Sequence, residues 1–377
     1  MRPLVPAALT RRDRPLSCFI LLEPRRILLT HDFGGGDEIR FEQQGLAGIV
    51  TLTRPKALNA VTHKMVRALS AALTAWETDP AVSAVLVKAE GRAFSAGGDI
   101  LDIYQAGKAG MPPVDFFADE YRLNVQIARY RKPYVALVDG IVMGGGVGVS
   151  FHGSHRVMTE NAQFAMPEVG IGFFPDVGGS HILPELGESF GMYLGLTGTR
   201  IRYGDALWSG LANYTVKSEY LLGIIERVSE TGDVDLALRE AFAPAKRETE
   251  DADVHAIARH FSKDSLAGIL ESLRAASATD PFAAKTLDTL MLRSPTSLHV
   301  AFRQIAAGLG KSMEDCMRME FRILNRMLEG KDFYEGIRAA VIDKDAAPKW
   351  SPPRLEDVDP ADIDRYFQPL GERELVL

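Results

Sequence analysis

Cysteine is nearly missing from this chain: Cys18 and Cys316 are the only two in 377 residues. They lie far apart and form no CxxC pair, so a disulfide framework and a thiolate zinc site are both excluded as organising principles. An excess of basic residues is missing too. Lys and Arg number 43 against 50 Asp and Glu, a formal net charge of −7 with a pI of about 5.7. Binding along a nucleic-acid backbone needs a basic surface to neutralise phosphates, so that class falls away. A local basic pocket for a small anion does not. Long apolar runs are absent as well. Cys18-Phe19-Ile20-Leu21-Leu22 is too short to span a bilayer, and later runs are broken by a glycine or a charge. No internal repeat or low-complexity tract interrupts the pattern.

What is present is the balance of a soluble globular protein: 46% hydrophobic and 25% charged residues. The length exceeds an ordinary single domain, which predicts one large α/β core with an appended part, or two domains. Arg2, Arg11, Arg12, Arg14, Arg25 and Arg26 face only Asp13 and Glu23 near the start. Such an Arg-rich, acid-poor opening fits a mitochondrial transit peptide. Scarce serine and Pro3, Pro6, Pro15 and Pro24 argue for an unstructured leader or an over-extended start instead. The expectation is a leader over 1–37, an α/β core over 38–240 and a helical region over 241–377. The compartment expected is the bacterial cytoplasm, with the mitochondrial matrix as the alternative.

Ile39–Glu42 and Ala47–Leu52, around Gln44-Gly45, predict a β-hairpin. Thr62–Glu77 carries Met65, Leu69, Ala72, Leu73 and Trp76 at helical spacing. Ala84–Ala89 and Pro133–Val138 read as buried strands, each followed by a small-residue loop, with a helix over Phe116–Tyr130 between them. Strand, glycine loop and helix in alternation imply a sheet covered by helices. Ala243–His255 reads as a polar linker. Ser262–Ala276, Pro281–Leu292, Ser297–Ala307 and Ser312–Leu328 read as helices, with Ser294 and Ser312 as caps and Gly330 as a stop.

Chemistry concentrates in Arg92–Ile100, Met143–Ser150 and Phe164–Ser180. The first two are small-residue turns after strands, where backbone N–H groups are open to a ligand. Two such groups aimed at one point make an oxyanion hole. Taken singly, either loop is better explained by tight helix–strand packing. Neither fits a dinucleotide or Walker pattern. The third segment sets Glu168 and Asp176 in apolar, glycine-rich surroundings. There carboxyl pKa values rise and neighbouring acids push one another apart, which suits acid–base or nucleophilic work. Asp176 equally reads as the cap of a helix beginning near Gly178, and Glu168 as a first-turn acid after Pro167. His63, His152, His155 and His181 lack a matching ligand set and read as structural, so no metal is expected. No GxSxG elbow supports a serine triad.

Arg54-Pro-Lys-Ala-Leu-Asn-Ala60, Phe94-Ser-Ala-Gly-Gly-Asp-Ile100 and Gly144-Gly-Gly146 resemble the crotonase (enoyl-CoA hydratase/isomerase) superfamily. Met143–Ser150, Met166–Gly179, Ser294–Ser297, Met319–Arg322, Asp332–Ala339 and Ile342–Trp350 are similar to its 3-hydroxyisobutyryl-CoA hydrolase family. The resemblance runs from about residue 38 to the end. It implies a ClpP/crotonase spiral of ββα units with a mostly helical C-terminal region. It also implies a thioesterase acting on a short β-hydroxyacyl-CoA in valine breakdown. No cofactor is implied, because CoA belongs to the substrate. The Ala96 and Gly145 N–H groups would form the oxyanion hole, and Glu168 would be the catalytic acid of the superfamily. The second glutamate of typical hydratases falls at Gly148. Asp176 matches an extra acid of the hydrolases. Glu120, Gly97, Gly98, Asp99 and Lys56 match substrate contacts, Lys56 at the CoA phosphates. An acyl-CoA ligand and a possible homo-oligomer are the expected partners, with no nucleic acid and no membrane. A hydratase or isomerase of the same fold and a non-catalytic acyl-CoA-binding protein are the rival readings.

Overall fold

The computed structural model describes residues 28–187 and 189–377. Two sheets carry the N-terminal half. The larger has seven strands: β1 (Leu28–His31), β2 (Ile39–Gln44), β3 (Ala47–Leu52), β4 (Ala84–Ala89), β6 (Tyr134–Val138), β8 (His155–Thr159) and β11 (Tyr214–Val216), in that spatial order. The smaller has four: β5 (Ala93–Ser95), β7 (Ile141–Met143), β9 (Gln163–Ala165) and β10 (Ile201–Arg202), ordered β10-β9-β7-β5. The chain alternates between them. β4, β6 and β8 enter the large sheet in parallel, and β5, β7 and β9, which follow them in turn, enter the small one in parallel. This is the expected spiral of paired strands with intervening helices.

The apolar runs explain the large sheet. Every residue of β3 and β6 is buried, as both-face coverage of parallel strands demands. The expected hairpin β2–β3 forms, with Gln44 paired to Ala47 around the turn Gly45-Leu46. Helix α1 (His63–Thr78) begins where Thr62 Oγ1 accepts the Met65 N–H, and buries Met65, Leu69, Leu73 and Trp76. α2 (Ile100–Lys108) and α3 (Val114–Ala128) follow β5, α4 (Gly145–Gly148) follows β7, and α5 (Gly179–Ile182) comes after β9.

Two boundaries move. The leader assigned to 1–37 is too long, because Leu28–His31 pairs antiparallel with β2. Phe33 packs edge-on against Trp76 and Phe41, with ring centroids 5.7 and 5.2 Å away. Residues 1–27 lie outside the described residues. The polar linker is shorter than expected: helix Asp251–Phe261 takes up its second half. Helices Leu266–Ala276, Pro281–Met291, Pro295–Gly308 and Met313–Glu329 follow, and Ser294 and Ser312 cap the last two as expected. The helical region is not a separate body. Leu298, Met317 and Phe333 share one continuous core with Phe94, Val142 and Phe164 of the sheets.

Candidate active site

β5, β7 and β9 run parallel, so their C-terminal ends open on the same edge. That edge collects the three segments marked in the sequence, as parallel α/β sheets generally do. Asn59 braces the first. Its Nδ2 donates to the carbonyls of Glu90 and Ala93, and its Oδ1 accepts the Arg54 N–H, all at 2.8 Å. The loop is then stitched to residues 58–61. Ala96 N–H donates to the Leu58 carbonyl, Val61 N–H to Gly97, and Asp99 N–H to Val61. This pattern leaves the Gly98 N–H without a partner among the described residues.

The second loop brings Gly145 to the same point. Gly144 sits at φ +46°, ψ −126°, a conformation suited to glycine, and turns the chain into α4. The Gly145 N–H also has no partner among the described residues. A Cβ on Gly145 would lie 3.2 Å from the Gly98 nitrogen and 2.7 Å from Glu120 Oε1. Two free N–H groups from different loops therefore converge beside a carboxyl group.

Three carboxyls face the cavity, which has a volume of about 340 Å³ and is walled by Ile103, Phe116, Phe117, Ile171, Phe173 and Phe333. Glu120 is 2% exposed, Asp176 5% and Glu168 6%. Burial, then the neighbouring Asp176, pushes Glu120 and Glu168 well above the usual carboxylate range. Burial raises Asp176 to about 7, against the pull of the Tyr121 hydroxyl, which donates to its Oδ2 at 3.0 Å. Glu120 Oε1 and Glu168 Oε2 are buried with no hydrogen-bond partner. Arg293 is the only cation among the lining residues, and it also donates to the Thr197 carbonyl. One cation cannot balance three acids in apolar surroundings, so some of the protons stay on at neutral pH.

Of the residues singled out in the sequence, Glu168, Asp176, Glu120, Gly97, Gly98 and Gly145 line this one cavity. Ala96 lines it too, but its N–H is spent on Leu58, so Gly98 replaces it as the second free donor. Asp99 does not face the cavity: it is ion-paired to Arg54 at 2.9 Å. Lys56 sits exposed on the turn Pro55–Ala57, outside the lining. Asp176 is not a helix cap, and Gly178 holds that position. Glu168 does open a short 3₁₀ turn after Pro167, yet its carboxyl points into the buried cavity rather than to solvent.

None of the four histidines lines the cavity. His152 bonds the Val177 carbonyl, His63 pairs with Asp119 and His155 with Asp235, while His181 closes α5. No metal-holding cluster occurs among the described residues. Sequence reasoning missed Tyr121, next to Glu120 on α3, and Glu320, which lies within the Met319–Arg322 match but had no role assigned.

The enoyl-CoA hydratase/isomerase family model matches residues 47–367. A mitochondrial 3-hydroxyisobutyryl-CoA hydrolase of Danio rerio is 43% identical over 91% of this chain and 92% of its own. The enzymes of that name from Rattus norvegicus and Homo sapiens are 42% and 39% identical, each over 90% of both chains. Among solved structures, a carnitinyl-CoA dehydratase from Mycobacterium thermoresistibile aligns with TM-score 0.83 and 39% identity, over 93% of this chain and 98% of that one. An enoyl-CoA hydratase from Rhodobacter sphaeroides aligns with TM-score 0.83 and 38% identity, over 90% and 100%. The chain therefore belongs to the enoyl-CoA hydratase/isomerase family and, within it, to the 3-hydroxyisobutyryl-CoA hydrolases.

Proposed function

We propose that the protein hydrolyses a short β-hydroxyacyl-CoA thioester, 3-hydroxyisobutyryl-CoA, to 3-hydroxyisobutyrate and CoA. One observation carries the reading: the free N–H groups of Gly98 and Gly145 converge in one apolar cavity with a buried glutamate, Glu168, whose Oε2 has no partner. The thioester carbonyl oxygen lies between the two N–H groups, which stabilise the negative charge that develops on it. Glu168 in its ionised form attacks the carbonyl carbon, and the carbon–sulfur bond breaks. The thiolate leaves as the CoA thiol, taking the proton of a carboxyl that has kept one. Water then cleaves the mixed anhydride on Glu168, releasing the acid and restoring the glutamate. Asp176, fixed by Tyr121, holds the 3-hydroxyl or the incoming water, and Glu120 faces the same acyl group.

Hydration of an enoyl thioester is the rival, since the two solved structures above are named as a dehydratase and a hydratase. It needs a second acid in place to deliver water across a double bond. Position 148 is glycine, and a Cβ there would meet Asn124 Nδ2 at 2.7 Å and Val177 Cβ at 3.0 Å. The space for that acid is already filled. The deciding measurement is thiol release from 3-hydroxyisobutyryl-CoA alongside loss of the crotonyl-CoA double bond. Thiol release alone supports the hydrolase; hydration without thiol release overturns it.

A pH profile tests the carboxyl group assignments. Tyr121→Phe removes the hydroxyl that favours ionised Asp176, so the Asp176 pKa must rise further. The acidic limb of kcat/KM is expected to move to higher pH, with the loss greater at pH 6 than at pH 8. A limb that stays in place would remove Asp176 from the titrating set.

A further inference from the structure

We infer that Glu320, 142 residues from the active-site turn in sequence, is a positioning residue that acts through Asp176. The inference rests on the hydrolase reading above. The turn after Asp176 is unusual. Val177 adopts φ +48° and Gly178 φ +88°, two consecutive left-handed residues of which the first is β-branched. A β-branched side chain rarely accepts that conformation, so the surrounding structure must impose it.

The imposition is visible at one peptide group. The carbonyl of Val177 receives the His152 Nε2–H at 2.7 Å, and the N–H of Gly178, on the same peptide bond, donates to Glu320 Oε2 at 2.9 Å. Both polar ends of the peptide are thus held by side chains from opposite parts of the molecule. His152 follows α4 in the α/β core, and Glu320 lies on the helix Met313–Glu329 of the C-terminal region. Glu320 also accepts the Ser180 N–H at 2.9 Å and the Ser180 hydroxyl at 2.5 Å. It is wholly buried and lies outside the cavity, so it touches no substrate. Its hydrogen bonds reach the chemistry through the backbone that carries Asp176, and its charge also faces Asp176, Tyr121 and Glu168. A Cβ on Gly178 would strike the His152 ring at 2.3 Å, so the turn has no slack on that side. The helical C-terminal region is therefore part of the active-site scaffold rather than a cover.

The test is a double-mutant cycle on the full-length protein, read as kcat/KM for 3-hydroxyisobutyryl-CoA. Glu320→Gln sets an amide N–H₂ against one of the two backbone donors, Gly178 or Ser180, and loosens the turn that carries Asp176. A displacement of about 1 Å at a reacting group costs on the order of 10²-fold. Glu320→Gln is expected to lower kcat/KM by about 10- to 100-fold alone, but by less than about 3-fold on an Asp176→Asn background. Equal losses on both backgrounds would mean a general structural role and overturn the inference. His152→Ala frees the other end of the same peptide and must show the same non-additivity, which keeps the test open if Glu320→Gln does not fold. A crystal structure of either variant gives a readout independent of substrate. The 3.0 Å contact between Asp176 and Tyr121 must break, and its persistence would overturn the inference. Lack of thioesterase activity in the unaltered protein would sink the functional reading alone.

Discussion

Glu168→Gln is expected to lower kcat by about 10³- to 10⁴-fold while leaving binding of the acyl-CoA nearly unchanged. The size follows from what the amide cannot do. Glutamine fills the same volume, so the cavity wall of Phe173, Ile171 and Phe333 stays intact. The amide oxygen is a poor nucleophile and holds no negative charge to drive attack. Glu168 is buried and its Oε2 has no partner, so the amide breaks no hydrogen bond at that atom. The raised pKa helps the unaltered protein in one respect, since a carboxylate of higher basicity attacks a carbonyl more readily, at the cost of a smaller ionised fraction. The check is steady-state thiol release together with binding measured by calorimetry. Borohydride trapping adds a second reading: an acyl anhydride on Glu168 should be reduced and seen by mass spectrometry in the unaltered protein, and be absent from the variant. Undiminished kcat in Glu168→Gln would turn the assignment over to Asp176 or Glu120. Full activity loss with no trapped adduct in the unaltered protein would favour an activated water over covalent attack. A non-catalytic acyl-CoA-binding protein would show no change at all.

The legible and illegible parts of this molecule divide by distance along the chain. β4 was readable because a parallel strand buried on both faces must be an apolar run, and Ala84–Val87 is one. Ser294 and Ser312 were readable because a cap and its N–H lie three residues apart. The donor set was not. Which N–H of the loop 95–99 remains free depends on Leu58 taking the Ala96 N–H, a contact across 38 residues that spacing cannot show. Asp99 looked like a substrate contact until Arg54, 45 residues away, claimed it. The strand Leu28–His31 was hidden in the same way, since the aromatic pairing of His31 and Phe33 with Trp76 joins it to the fold. The helix Asp251–Phe261 is a milder case. Its first residues are charged, and the stripe Val254, Ile257 and Phe261 that it buries extends beyond the polar window. Glu168, Asp176 and Gly145 were found because their surroundings are anomalous locally: acids amid apolar residues, and three glycines in a row.

Gly145→Ala is the second change expected to have a large effect, about 10²- to 10³-fold in kcat. Only one methyl group is added, yet it enters the place where the two N–H donors meet. That methyl would lie 2.7 Å from Glu120 Oε1 and 3.2 Å from the Gly98 nitrogen. The first contact can be relieved, because Glu120 Oε1 is the end of a movable side chain. The second cannot, because the Gly98 backbone is fixed by the bonds from Val61 to Gly97 and from Asp99 to Val61. The carbonyl oxygen is then kept away from both donors at the moment charge develops on it. Ground-state binding should suffer less, since the apolar wall and the CoA part of the substrate are untouched. A fall in kcat with a modest change in KM is thus the signature of a blocked oxyanion hole, whereas a distorted binding cavity would raise KM first. Asp99→Asn is the matched control. Its partner Arg54 is partly buried but outside the cavity, so loss of the ion pair should cost only a few-fold. If Asp99→Asn proved as damaging as Gly145→Ala, the loop 95–99 would be reaching the substrate through its side chains. The free Gly98 N–H would then lose its role, and the hole would have to be sought elsewhere on the same strand edge.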